Sequence, residues 1–285
     1  MSYALELENV CKSYPDFSLK NVSFQLPSGC IMGFIGENGA GKTTTIKSIL
    51  DLITYEGTVR ILGEDSRKSG KALRQEIGVV FDANYLPPNF NVRNLALIFR
   101  NIYQNWDDSL YRDYITRFSL PLDKKIKDFS KGMSMKLCIA VALAHHPRLL
   151  ILDEATSGLD PVVRSEILDL FFDFIQDEGH SILLSSHITS DLEKIADYIT
   201  FIHNGEIIFS KQKESLLGKY GVLKCGKKDF TGVDRSLLAG YRENTFGIEA
   251  LVNNRADFKR RYPELIVDSP SLDEIMVFYG KEREI

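Results

Sequence analysis

The chain has 285 residues, 44% of them hydrophobic and 26% charged, which are the proportions of an ordinary globular protein with room for a sizeable core. That length suits one large domain, or one domain with a small appendage. Thirty-five basic against 39 acidic residues leave a formal net charge of -4, which runs against the basic excess typical of a nucleic-acid binder. The four cysteines, Cys11, Cys30, Cys138 and Cys225, contain no CxxC pair and read as free thiols of a reducing compartment. No basic-then-apolar leader is expected at the start. The longest apolar run, LCIAVALA at 137–144, falls far short of the roughly 20 residues that cross a bilayer, so a role at a membrane would need another chain to span it.

Along the chain, Leu5, Leu7 and Val10 and then LKNVSFQL at 19–26 alternate as strands do. Pro27-Ser28-Gly29 reads as a turn and CIMGFI at 30–35 as a buried strand. A glycine-rich loop follows, then a helix from about Lys42 to Leu50, with TVRILG (58–63) and EIGVVF (76–81) as further strands. Between Asp82 and His146 the strand signal gives way to apolar residues at helical spacing, in NVRNLALIFRNIYQNW and SLYRDYITRF. LLILD at 149–153 has the continuous apolar character of a central parallel strand. Asp160 as N-cap and Pro161 at the first helical position open the next helix, which Gly179 closes. SILLSS (181–186) is another buried strand, and Ser190 with Glu193 has the spacing of a capping box. ITFIHNGEIIFS (199–210) reads as a hairpin turning on Asn204-Gly205. Beyond about 211 the signal is mixed: VLKCGKK and FGIEALV as strands, DEIMVFYG as a short helix. Strands alternating with helices predict an α/β fold with a mostly parallel sheet covered on both faces.

The chemistry begins at Gly36-Glu37-Asn38-Gly39-Ala40-Gly41-Lys42-Thr43, followed by Thr44, which fits GxxxxGK[ST] between a predicted strand and a predicted helix. Glycines let backbone N–H groups close on phosphate oxygens, and the helix N-terminus adds free donors and a favourable dipole. Lys42 supplies a charge for the β- and γ-phosphates, and Thr43 a hydroxyl for Mg²⁺. The apolar strand ending in Asp153 and Glu154 delivers an acid where P-loop NTPases hold the metal, with Glu154 next to it to polarise a water.

With these residues in place, the sequence resembles the ATP-binding cassette (ABC) ATPases over roughly residues 3 to 215. Phe129-Ser130-Lys131-Gly132-Met133 resembles the family's signature LSGGQ, Ser157-Gly158-Leu159-Asp160 its D-loop, His187 its switch histidine, and Tyr14 the aromatic that stacks on adenine. The resemblance implies a P-loop NTPase RecA-like core with an N-terminal antiparallel β-subdomain, an inserted α-helical subdomain at about 83–146, and a small mixed C-terminal region at 216–285. It implies ATP and Mg²⁺ as ligands, with Thr43 and Asp153 at the metal and Glu154 and His187 at the reacting phosphate. It also implies head-to-tail pairing with a second ATPase subunit, Ser130, Lys131, Gly132 and Met133 meeting that subunit's ATP in trans. A separate transmembrane permease would be the partner, with the chain cytoplasmic and peripheral on the inner face of the membrane, and no nucleic acid is expected. The competing reading, a soluble ABC ATPase working on the ribosome or DNA, would call for paired cassettes or a long coiled coil, and neither pattern is present.

Two departures from the family pattern stand out. Asp82 takes the place of the usual glutamine at the end of IGVVFD, a second candidate oxygen for the metal or a solvated loop acid. Lys131 and Met133 replace the third and fifth signature residues, giving SKGM. That variant, and the segment Ser269-Pro270-Ser271-Leu272-Asp273-Glu274-Ile275, resemble bacterial export-type ATPases for drugs, antibiotics and peptides.

Overall fold

The computed structural model describes residues 2–82 and 85–280. Residue 83, where the helical insertion is expected to start, and the last five residues of the expected C-terminal region lie outside them. The first elements are β1 (Tyr3–Ser13), β2 (Ser18–Pro27), β3 (Ile31–Ile35), α1 (Lys42–Ile49), β4 (Glu56–Ile61), β5 (Glu64–Asp65), α2 (Gly70–Gln75) and β6 (Ile77–Val80). The helical insertion supplies α3 (Val92–Ile102), α4 (Asp108–Arg117) and α5 (Lys131–Leu143). Strands and helices then alternate through β7 (Leu149–Asp153), α6 (Pro161–Phe174), β8 (Ser181–Ser186), α7 (Thr189–Ile195), β9 (Tyr198–His203), β10 (Glu206–Gln212) and α8 (Lys213–Lys219). The C-terminal region is built from β11 (Gly221–Cys225), α9 (Lys227–Phe230), β12 (Leu238–Asn244), β13 (Gly247–Val252), α10 (Arg255–Arg261), β14 (Val267–Asp268) and α11 (Leu272–Gly280).

Three sheets organise these elements. An antiparallel one runs β2-β1-β4-β5, a six-stranded one runs β10-β9-β3-β8-β7-β6, and a small antiparallel one runs β12-β13-β11-β14. In the central sheet β9, β3, β8, β7 and β6 are parallel, and only the edge strand β10 is antiparallel. Every residue of β3, β7 and β8 is buried, as expected where crossover helices cover both faces of a parallel sheet. The order β3-β8-β7 is what makes the site: three adjacent strands deliver their carboxyl ends, and the loops after them, to one crevice.

Local rules account for most boundaries. Asp160 accepts the N–H groups of Val162 and Val163 and caps α6 with Pro161 at its first position. Asn204 (φ 48°) and Gly205 (φ 78°) are both left-handed between β9 and β10, the two-residue geometry a hairpin prefers. The expected capping box at Ser190 and Glu193 does not form. Helix α7 starts at Thr189 with Ile188 in the cap position and no side-chain cap, so Ser190 falls inside the helix. The Glu193 carboxylate is taken by a distant donor, accepting the Leu272 N–H at 2.6 Å. Gly179 likewise does not end α6, which stops at Phe174.

The C-terminal sheet has a core of its own, around Leu223, Phe230, Ala250, Val252, Phe258 and Val267. Leu272, Ile275 and Phe278 of α11 point the other way and join the main core beside Phe209 and Leu216. Tyr279 hydrogen-bonds Tyr220 through their hydroxyls at 2.6 Å. The region is therefore fixed to the rest of the chain by buried apolar area as well as by the Glu193 contact.

Candidate nucleotide site

The loop Gly36–Gly41 leaves the carboxyl end of β3 and enters α1. A β-carbon on Gly36 would lie 2.5 Å from the Ile202 carbonyl oxygen, and Gly41 sits at φ 116°, so both positions need glycine. No side chain caps α1, which leaves its first N–H groups free for an anion. Lys42 is buried; its Nζ donates to the carbonyls of Gly36 (2.7 Å) and Glu37 (3.2 Å) and lies 3.2 Å from Glu154 Oε1. Thr43 Oγ1 donates to Asp153 Oδ2 at 2.8 Å.

Ser185, at the end of β8, completes the arrangement. Its Oγ donates to Asp153 Oδ1 at 2.6 Å and accepts the Glu154 N–H at 3.1 Å. Asp153 and Ser185 are register partners across β7 and β8. Glu154 has φ 55°, a left-handed conformation that costs an L-residue about 1–2 kcal/mol, and the turn there aims its carboxylate at both Lys42 and His187. His187 Nδ1 lies 2.6 Å from Glu154 Oε2.

Lys42, Thr43 and Glu154 open onto a cleft of about 520 Å³ lined also by Glu37, Asn38, Gly39, Gly41 and Thr44, together with Asp16 and Phe17; Gly36, Ala40, Asp153 and His187 are not among its lining residues. Asp16 and Phe17 were not singled out from the sequence, and nothing local marks them. The Phe17 ring closes on the loop, its Cζ 2.9 Å from where a Gly41 β-carbon would be. Tyr14 is 43% exposed and is not among the lining residues. Its N–H donates to the Phe17 carbonyl at 2.8 Å, and Lys12 Nζ stands 5.2 Å above its ring.

The donor set fits a hydrated divalent cation. Thr43 and Asp153 present hard oxygens side by side, and the buried Glu154 Oε1 faces the Lys42 ammonium at 3.2 Å without a well-aligned hydrogen bond. Asp82 is placed elsewhere: its Oδ1 lies 2.9 Å from Lys131 Nζ, and among the described residues no cluster of three or more acids, histidines or cysteines is built to hold a metal unaided.

The remaining motif residues lie away from the cleft. Ser130 caps α5, its Oγ accepting the Met133 N–H at 3.2 Å. Met133 packs against the main core, and Gly132 faces Val163 of α6. In the D-loop, the Ser157 N–H donates to the Glu154 carbonyl at 3.0 Å, Gly158 is left-handed at φ 66°, Leu159 is buried and Asp160 caps α6. The segment thus ties the turn that holds Glu154 directly to the start of α6.

Comparison with known proteins identifies the family. The "ABC transporter" family model matches residues 19–157. The chain is 34% identical over 212 residues to the bacitracin transport ATP-binding protein BcrA of Enterococcus faecalis, covering 73% of this chain and 69% of that one. The chain belongs to the ABC transporter ATP-binding proteins. It is also 35% identical to the lantibiotic transport ATP-binding protein SrtF of Streptococcus pyogenes, across 73% of this chain and 90% of that one. A solved ATP-binding subunit of an ABC transporter superposes with a TM-score of 0.68 at 25% identity, over 82% of this chain and 96% of its own. CbiO1 of Clostridium perfringens, part of the transporter complex cbiONQ, shares the fold at a TM-score of 0.64 and 24% identity. As a member of this family the chain binds and hydrolyses ATP.

Proposed function

We propose that the chain powers a separate membrane permease, most simply an exporter of antibiotic-like or peptide substrates, by closing head to tail on a second ATPase subunit. One observation carries the pairing. The cleft lined by Lys42 and Glu154 and the signature Ser130–Met133 belong to the same chain, yet none of the signature residues lines the cleft. A phosphate held by both must therefore lie between two subunits. The export direction rests on the likeness to the bacitracin and lantibiotic transport proteins and on the SKGM signature.

In this reading Lys42 and the free N–H groups of α1 bind the β- and γ-phosphates. Thr43 and Asp153 hold Mg²⁺, which neutralises phosphate charge, while Ser185 keeps the Asp153 carboxylate turned toward Thr43. An incoming phosphate competes with Glu154 for Lys42. Glu154, released from the lysine and still bonded to His187, then orients and deprotonates the attacking water. Tyr14 and Phe17 offer aromatic faces to the base.

The permease would meet the helical insertion. A cleft of about 350 Å³ between α3 and α4 is lined by Val92, Ala96, Leu97, Tyr111, Ile115 and Leu122, with Arg93, Arg100 and Arg112 at the same opening. Leu97 and Leu122 are 56% and 40% exposed, which suits the apolar face of a short amphipathic helix. No helix among the described residues is long and apolar enough to cross a membrane, so the chain would act as a peripheral subunit on the cytoplasmic face. Gentle solubilisation of membranes carrying a tagged chain should recover a polytopic membrane protein, and Leu97→Asp should abolish that recovery. Recovery of ribosomes or DNA-repair proteins from the soluble fraction alone would contradict the proposal.

A further inference from the structure

Two of the positions at which this chain departs from its family's pattern are bonded to each other. Asp82 stands where the family carries glutamine, Lys131 where it carries the third signature residue, and Lys131 Nζ lies 2.9 Å from Asp82 Oδ1. The pair spans 49 residues of sequence and links the loop after β6 to the first residue of α5. Both side chains are about half exposed, 48% for Lys131 and 53% for Asp82, so either can leave the other without unfolding anything. The lysine also crosses the D-loop, its Nζ 3.1 Å from where a β-carbon on Gly158 would stand. Gly158 is left-handed at φ 66° and offers no side chain to block that route. Lys131 is thus anchored at the signature, passes over the D-loop and ends on Asp82, touching the two segments that the head-to-tail reading places at the subunit interface.

A cation at the first position of a helix is opposed by the helix dipole and gains from a nearby anion. Within one chain that anion is Asp82. In the closed pair a second and stronger one arrives, the terminal phosphate of the ATP bound to the other subunit. We propose that Lys131 is a phosphate-directed cation in trans that Asp82 holds in reserve, so that the Asp82–Lys131 ion pair sets the ATP concentration at which two subunits close. The inference rests on the head-to-tail pairing proposed above. Closure moves the ammonium from a carboxylate to a phosphate, and no bond other than these contacts is made or broken. A half-exposed ion pair contributes weakly, which suits a latch that ATP opens. A charge-assisted hydrogen bond to phosphate between closed subunits is the stronger of the two.

The test uses the full-length chain with Glu154→Gln, in which hydrolysis cannot reopen the pair, and reads by light scattering the ATP concentration giving half-maximal association. Asp82→Asn frees the lysine and should lower that concentration about two- to fivefold, the range set by a surface ion pair. Lys131→Gln removes the phosphate ligand and should raise it about tenfold or more, as for loss of a hydrogen bond from a charged group. The exchange Asp82→Lys with Lys131→Asp rebuilds the ion pair but puts no cation at the signature, and it should behave like Lys131→Gln. If the exchange restores the parental requirement, the pair is a structural strut and the proposal is overturned. An unchanged or raised requirement in Asp82→Asn overturns it as well. Failure of the parental Glu154→Gln chain to associate with ATP at all overturns the head-to-tail reading and the latch together; association of the parent with no response to Asp82→Asn removes the latch alone.

Discussion

Glu154 joins the P-loop lysine to the histidine that follows β8: its Oε1 lies 3.2 Å from Lys42 Nζ and its Oε2 lies 2.6 Å from His187 Nδ1. The carboxylate that would position water thus also neutralises the ammonium that would hold phosphate, and it is only 14% exposed. Nucleotide binding must separate Glu154 from Lys42 but not from His187. His187→Ala should therefore lower kcat by about 100-fold, within the range of lost proton-transfer assistance, while changing the dissociation constant for ATP by no more than about twofold. Steady-state hydrolysis and equilibrium titration with a fluorescent ATP analogue separate the two effects. A loss of affinity equal to the loss of rate would place His187 on the substrate rather than on Glu154.

Ser185 is the second support of this acid pair. Ser185→Ala removes the donor to the buried Asp153 Oδ1, while the Glu154 N–H keeps the Ser185 carbonyl as its acceptor at 3.1 Å. Leaving that carboxylate oxygen unsatisfied costs about 1–3 kcal/mol, which urea denaturation should read directly. The stabilisation gained on adding Mg²⁺ and ATP should also shrink, because Asp153 is no longer held toward Thr43. Equal stabilisation of variant and parent would show that Ser185 acts only in the fold.

A pH dependence follows from His145, at the end of α5. Burial pushes its imidazole down from 6.5 to about 4, outweighing the opposing hydrogen bond to the Ile77 carbonyl. The ring stacks on Tyr103 at 3.7 Å between centroids. Below pH 6.5 the unfolded chain takes up a proton that the folded chain refuses until about pH 4. The contribution is therefore fully present above pH 6.5 and is lost as pH falls toward 4, by about 3 kcal/mol in total. Unfolding free energies measured at pH 7 and pH 4.5 should differ less in His145→Phe than in the parent. An identical slope in both would mean that other groups carry the acid sensitivity.

The C-terminal region offers a local test. Glu193 Oε1 accepts the N–H of Leu272 at 2.6 Å and so holds the first turn of α11 against α7. Removing the carboxylate with Glu193→Ala should destabilise that attachment by about 1.5–3 kcal/mol. Hydrogen exchange should accelerate at the amides of α11 and remain unchanged in β3, β7 and β8. Uniform acceleration through the chain would mean that α11 does not open separately from the central sheet.

What the sequence made legible was set by distance along the chain. The phosphate loop, the acid pair that ends LLILDE, the Asp160 cap and the Asn204-Gly205 hairpin are each written in a few consecutive residues, and each folds as its local chemistry dictates. The parts that escaped are contacts across strands or between remote segments. Ser185 meets Asp153 only because β7 and β8 are register partners, Phe17 reaches Gly41 across the fold, and Asp82 finds Lys131 across the helical insertion. Glu193 shows the converse error: its spacing from Ser190 is that of a capping box, but tertiary structure gives the carboxylate to Leu272. Strand β12 was missed because its second half, Tyr241-Arg242-Glu243-Asn244, carries no apolar alternation; its pairing with β13 provides the order.

In the proposed cycle ATP closes the chain on a second ATPase subunit, a copy of itself or a related chain, and Glu154 drives the hydrolysis that reopens the pair. The most direct measurement is the association state and turnover of Glu154→Gln with Mg²⁺ and ATP, by gel filtration and phosphate release. A stable ATP-bound dimer with hydrolysis reduced at least about 100-fold is the expected result. A monomer that still hydrolyses ATP at the parental rate would contradict it.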